Sequence, residues 1–73
     1  MATDKRVAER HLEELLMAMG SHRRDLEAFR KKGDTAGEEL CDRVLKINYS
    51  RIRKHCARHD LELPHDVPSE SAA

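Results

Sequence analysis

No tryptophan occurs in this chain, and Phe29 and Tyr49 are its only aromatic rings apart from histidine. A core or recognition surface built on stacked rings is therefore excluded, and base stacking has little to draw on. Three glycines and two prolines in 73 residues leave no glycine-rich phosphate loop and none of the closely spaced turn signals of an all-β fold. The two cysteines, Cys41 and Cys56, stand 15 positions apart, about 22 Å along a straight helix, which is too far for an internal disulfide. They read as reduced thiols of a cytoplasmic protein, with a bridge between two copies as the alternative. The longest apolar run, Leu15-Leu16-Met17-Ala18-Met19, is far short of the ~20 residues of a spanning helix. Met1-Ala2-Thr3-Asp4-Lys5-Arg6 carries no apolar signal-peptide region, so no membrane partner is expected. Net charge is absent too, since 14 Lys/Arg balance 14 Asp/Glu.

What is present is leucine and charge. Eight Leu, two Ile, three Val and one Phe supply the strong apolar side chains, and 38% of residues are charged, a composition that favours amphipathic helices. The clearest pattern is Ala8, Leu12, Leu15, Met19, His22, Leu26 and Phe29, spaced 4, 3, 4, 3, 4, 3. This heptad rhythm keeps one stripe on one helix face. Leu16 and Ala18 widen the stripe as a bundle helix requires. Leu12-Glu13-Glu14-Leu15-Leu16 also matches an L-x-x-L-L docking pattern, but the same leucines complete the seam and read as core. Thr3 or Asp4 is expected to cap this helix. Gly20 marks a kink or the close approach of another helix.

Lys31-Lys32-Gly33-Asp34-Thr35 reads as a helix end followed at once by a helix start. The lysines suit the C-terminal dipole, Gly33 the left-handed cap, and Thr35-x-x-Glu38 a capping box. So short a link predicts an all-α antiparallel hairpin over residues 1–60, with helices at about 4–32 and 36–59 around a turn at 33–35. Leu45, Asn48 and Ile52 form the seam of the second helix. The register then sets Leu26 near Cys41, His22 near Leu45, Met19 near Asn48, Leu15 near Ile52, and His11 near His55 and His59. Pro64 and Pro68 end the pattern, and residues 61–73 are expected to be a flexible tail, with Leu61, Leu63 and Val67 able to fold back. Two apolar stripes this thin predict a homodimer, most simply a dimeric four-helix bundle. His22 and Asn48 would fix its register at some cost in stability. The expected architecture resembles the plasmid copy-number RNA-binding hairpin and the small sporulation phosphatase hairpins. The phosphatases' Ser-Gln-Glu-Leu-Asp run is absent, and no functional residue is carried over from either family.

From Arg43 to His59 the second helix carries Arg43, Lys46, Arg51, Arg53, Lys54 and Arg58 and no acid. A surface of this kind docks an acidic protein partner or tracks phosphates, although Glu9, Glu13 and Glu14 are expected near enough to neutralise part of it. His55-x-x-x-His59, with His11 across the hairpin, offers a weaker metal-binding alternative. No nucleophile with a recognisable base and no carboxylate pair in a cleft is readable, so no catalytic residue or cofactor is assigned. The expectation is a small non-enzymatic regulatory or adaptor protein that docks a protein partner through its basic helix face. RNA or DNA binding by the same face is the alternative.

Overall fold

A computed structural model describes residues 2–69, with side chains from Asp4 onward. Among these residues there are two helices and no strand: α1, Ala2–Lys32, and α2, Thr35–His59. The expected hairpin is present. Its helices begin slightly earlier than the spacing suggested, and Asp4 lies in the first turn of α1 rather than before it. The side chain of Thr3, the other expected cap, lies outside the described residues.

The link between the helices is a hydrogen-bonded reversal. Gly33 takes φ +73°, Asp34 N donates to Phe29 O at 3.0 Å, and Gly33 N donates to Arg30 O at 3.1 Å. These two bonds satisfy carbonyls that the end of α1 would otherwise leave open. The start of α2 corrects the expected capping box. Asp34, not Thr35, is the N-cap, with its Oδ1 accepting from Gly37 N at 3.0 Å. Glu38 Oε1 instead accepts from Arg30 Nε at 3.0 Å across the turn. Aspartate caps as well as threonine and places its charge at the positive end of the dipole, so the cap moves one residue towards the N-terminus.

Met19, Leu26, Cys41, Leu45, Ile52, Cys56 and Val67 form the buried cluster, with Leu12, Leu15, Leu16, Phe29 and Tyr49 half-buried against it. Two contacts fix the register. Near the turn the Phe29 ring lies against Gly37, and at the open end the His11 and His55 rings stand 4.9 Å apart. Asn48 lies in the seam at 6% exposure, and its Nδ2 has no hydrogen-bond partner among the described residues.

Residues 61–69 follow the fold-back alternative and not the loose tail, and residues 70–73 of the expected tail lie outside the described residues. At the end of α2, Asp60 adopts the left-handed conformation (φ 54°), and Leu61 N donates to Cys56 O at 2.9 Å. The segment then returns along the hairpin, and Val67 is only 3% exposed. Two arginines hold it: Arg23 donates to Asp66 O at 2.6 Å, and Arg53 to Pro68 O at 2.8 Å. Arg23 is also within hydrogen-bond distance of the Tyr49 hydroxyl, at 3.2 Å. The segment covers one flank of the two-helix layer. The other flank remains open, with Leu40 62% and Ile47 53% exposed on either side of half-buried Val44.

The glycines separate in a testable way. Helix α1 runs through Gly20 unbroken, and nothing lies within 4 Å of the position of a Cβ there, so the expected close approach does not occur at that site. It occurs at Gly37, where a Cβ would meet Phe29 Cδ1 at 2.5 Å. Gly20→Ala is therefore expected to stabilise the fold by about 0.5–1 kcal/mol. Gly37→Ala should lower stability despite the same gain in helix propensity, because the Phe29 ring must leave its seat. Urea denaturation followed by circular dichroism measures both; equal effects of the two substitutions would contradict this packing.

Candidate functional site

The six cations expected on one basic surface are not equivalent. Lys46 Nζ pairs with Asp42 Oδ2 at 3.2 Å, one turn away on the same helix. Arg53 is half-buried and holds the tail, with its Nε shielded and without a hydrogen-bond partner among the described residues. Its assignment to a free solvent face is thereby corrected. Arg43 is exposed on the outer side of α2. Arg51, Lys54 and Arg58 are exposed, and no described carboxylate pairs with them. The expected neutralisation by Glu9, Glu13 and Glu14 does not occur through ion pairs, since none of the three makes one with α2 among the described residues.

These three cations belong to a longer row. Leu40, Val44, Ile47, Arg51, Lys54 and Arg58 follow one another at spacings of 4, 3, 4, 3 and 4, which keeps them on one side of α2. The half nearer the turn is apolar and the half nearer the open end is cationic. At the cationic half, Arg51, Lys54, Arg58, His11, His55 and Leu15 line a shallow depression of about 400 Å³ between the helices. Among the described residues no acidic one contributes to its wall. Arginine suits carboxylate or phosphate oxygens in such a place because its planar fork can donate two parallel hydrogen bonds.

His11, His55 and His59 do converge: the His55 ring stands 4.9 Å from His11 and 4.6 Å from His59. Among the described residues no group of three His, Cys, Asp or Glu is arranged to hold an ion. His55 Nε2 is 2.7 Å from Ala8 O. A carbonyl only accepts, so this nitrogen carries a hydrogen and is not offered to a metal. His22 is half-buried on α1. Leu12, Leu15 and Leu16 of the L-x-x-L-L pattern pack on the core. No helix among the described residues is long and apolar enough to cross a membrane. No protein-family model, curated protein or solved structure matches this chain.

Residue identity alone did not single out Leu15 as part of the depression, because its spacing made it a seam residue. Its place at the edge of the seam lets it serve both surfaces. The separate role of Arg53 also depends on where residues 61–69 lie, and nothing in the heptad pattern specifies that.

Neither thiol lines this depression, and both are free and buried. Burial pushes the Cys56 thiol up; burial, with the negative charge of Asp25 adding to it, pushes Cys41 up. Both are therefore held as neutral, weakly nucleophilic thiols. The folded chain keeps these protons to higher pH than the unfolded chain does. Stability is thus fully present below the ordinary thiol range, near about 8.5, and falls as pH rises through it. The expected outcome is slow labelling by a thiol-specific disulfide reagent in buffer, fast labelling in denaturant, and a lower urea midpoint at alkaline pH. Rapid labelling of the native chain would contradict the burial of both groups.

Proposed function

We propose that this chain is a small non-enzymatic regulatory or adaptor protein that docks an acidic segment of a protein partner in the depression lined by Arg51, Lys54 and Arg58. One observation carries the reading: three exposed cations line one concave surface, beside Leu15 and two imidazoles, and among the described residues no carboxylate pairs with them and no acid stands in the wall. A free charge row on a convex helix face is adequately explained by solvation. A concave one with an apolar floor residue offers a ligand both charge and contact area. Among the alternatives, nucleic acid has less support, because Tyr49 is half-buried and engaged with Arg23, and so is not presented for base stacking.

The reading includes a second copy of the chain. The apolar triplet Leu40, Val44 and Ile47 is close to symmetric about Val44 in its spacing. Two antiparallel copies related by a two-fold axis through Val44 would set Leu40 of one against Ile47 of the other. That arrangement sends the two cationic halves to opposite ends, whereas a parallel one would bring them together. The four-helix dimer is therefore proposed to form through this row. Ile47→Glu is expected to abolish it while leaving the hairpin helical, because Ile47 is exposed within one copy. Sedimentation of the native chain and the variant across a dilution series checks this; a native chain that stays monomeric at high micromolar concentration would exclude the dimer.

Docking is tested with a labelled oligoglutamate peptide. Arg51→Glu together with Lys54→Glu should weaken binding by roughly tenfold or more, on the scale of exposed pairs worth up to about 1 kcal/mol each. Lys46→Glu, already paired to Asp42, should matter much less. Equal losses from both would return the reading to a diffuse basic surface, and no loss from either would leave a solvated face. RNA or DNA of unrelated sequences bound with a steep log–log salt dependence would replace the protein partner with a polyanionic backbone.

A further inference from the structure

Three imidazoles run in contact at the open end of the hairpin, His11 from α1 and His55 and His59 from α2. The central one, His55, lines the cationic depression. Its Nε2 hydrogen is committed to Ala8 O at 2.7 Å, so Nδ1 is the ring nitrogen left to a ligand. In the neutral ring that atom is a bare acceptor and opposes a carboxylate; once protonated it becomes a charged donor. Histidine is the side chain that makes this change between about pH 5 and 8.

The surrounding charges couple the change to occupancy. From α2, a proton on the stack faces Arg51, Lys54 and Arg58 around the depression. Towards His59 it meets Asp4 and Lys5 of α1 and Asp60 at the end of α2. The C-terminal end of α2 itself favours positive charge. Without a ligand, the depression presents cations to any added proton. An anion seated among Arg51, Lys54 and Arg58 reverses the field at His55 Nδ1. By linkage, whatever eases protonation in the complex also makes protonation tighten the complex.

We infer that the acidic segment binds together with a proton from solvent, taken up at Nδ1 of His55, so that docking strengthens as pH falls. This rests on the acidic-segment reading and adds a regulation to it: the same surface holds its partner weakly in mildly alkaline solution and more tightly in mildly acidic solution. Glutamate side chains stay ionised throughout this range, so the dependence reports on the protein and not on the ligand.

The experiment uses the full chain and a labelled oligoglutamate peptide, followed by fluorescence anisotropy at about pH 6 and about pH 8, the span over which histidine titrates. The native chain is expected to bind roughly three- to tenfold more tightly at the lower pH, because each proton taken up gives at most about tenfold per pH unit. His55→Gln keeps an amide N–H able to reach Ala8 O but cannot be protonated, so its affinity should be flat with pH. Calorimetry of the native chain in two buffers of different ionisation enthalpy counts the protons directly and needs no variant to fold. Three results overturn the coupling: affinity equal at both pH values, a pH dependence that persists in His55→Gln, or heats independent of buffer. If the native chain binds the peptide at neither pH, the acidic-segment reading fails as well. Binding that is lost on charge reversal of Arg51 and Lys54 but is indifferent to pH leaves that reading standing without its switch.

Discussion

Two residues between the helices, Gly33 and Asp34, set the register on which everything else depends. The left-handed glycine reverses the chain, and Asp34 caps α2 in the next position. So tight a reversal leaves no slack for the helices to slide past one another. Phe29 therefore lands on Gly37, and at the far end His11 lands beside His55. A longer, looser link would allow other pairings of two similar stripes. The depression that gathers residues from both helices would then lose its wall from α1.

With so few strong apolar side chains, the layer of two helices cannot cover both of its flanks by itself. One is covered within the chain, where Val67 completes the core beside Cys56 and Ile52. The other keeps Leu40 and Ile47 in solvent. Binding surfaces and the core thus compete for the same limited set of residues. Leu15 contributes to both, and the apolar row of α2 runs directly into its cationic one. If the proposed dimer and docking both form, this continuity would make them neighbouring events on one side of the molecule.

The hairpin was legible in the sequence because its signals are local. Heptad spacing, a glycine after two lysines, and the absence of proline before Pro64 all point one way. Asp34 was missed as the cap because Thr35 and Glu38 satisfied a familiar spacing, and aspartate competes for the same role one residue earlier. Gly37 was missed for a different reason: its constraint comes from Phe29 across the turn, and a glycine inside a helix looks the same whether or not a ring covers it. The convergence of His11 with His55 followed from the register. The use of Arg53 did not, because it depends on the path of residues 61–69, which carry no periodicity, whereas the Lys46–Asp42 pair is a local contact one turn apart. Asn48 stood out as a polar seam residue, but its unpartnered Nδ2 needed the surrounding geometry to be seen.

The returning segment behaves as a tethered ligand. Val67 hangs from the end of α2 by residues 61–66, and such a short connection holds its site at an effective concentration of millimolar order or higher. One valine, two partly buried leucines and a pair of arginine contacts would make a poor complex between separate molecules. Attached to the chain, they suffice, and their occupancy does not depend on protein concentration. The two flanks of the hairpin therefore differ in kinetic order: the Val67 side is closed by a first-order event, whereas the exposed Leu40–Ile47 side would be covered only by a second molecule, in a second-order one.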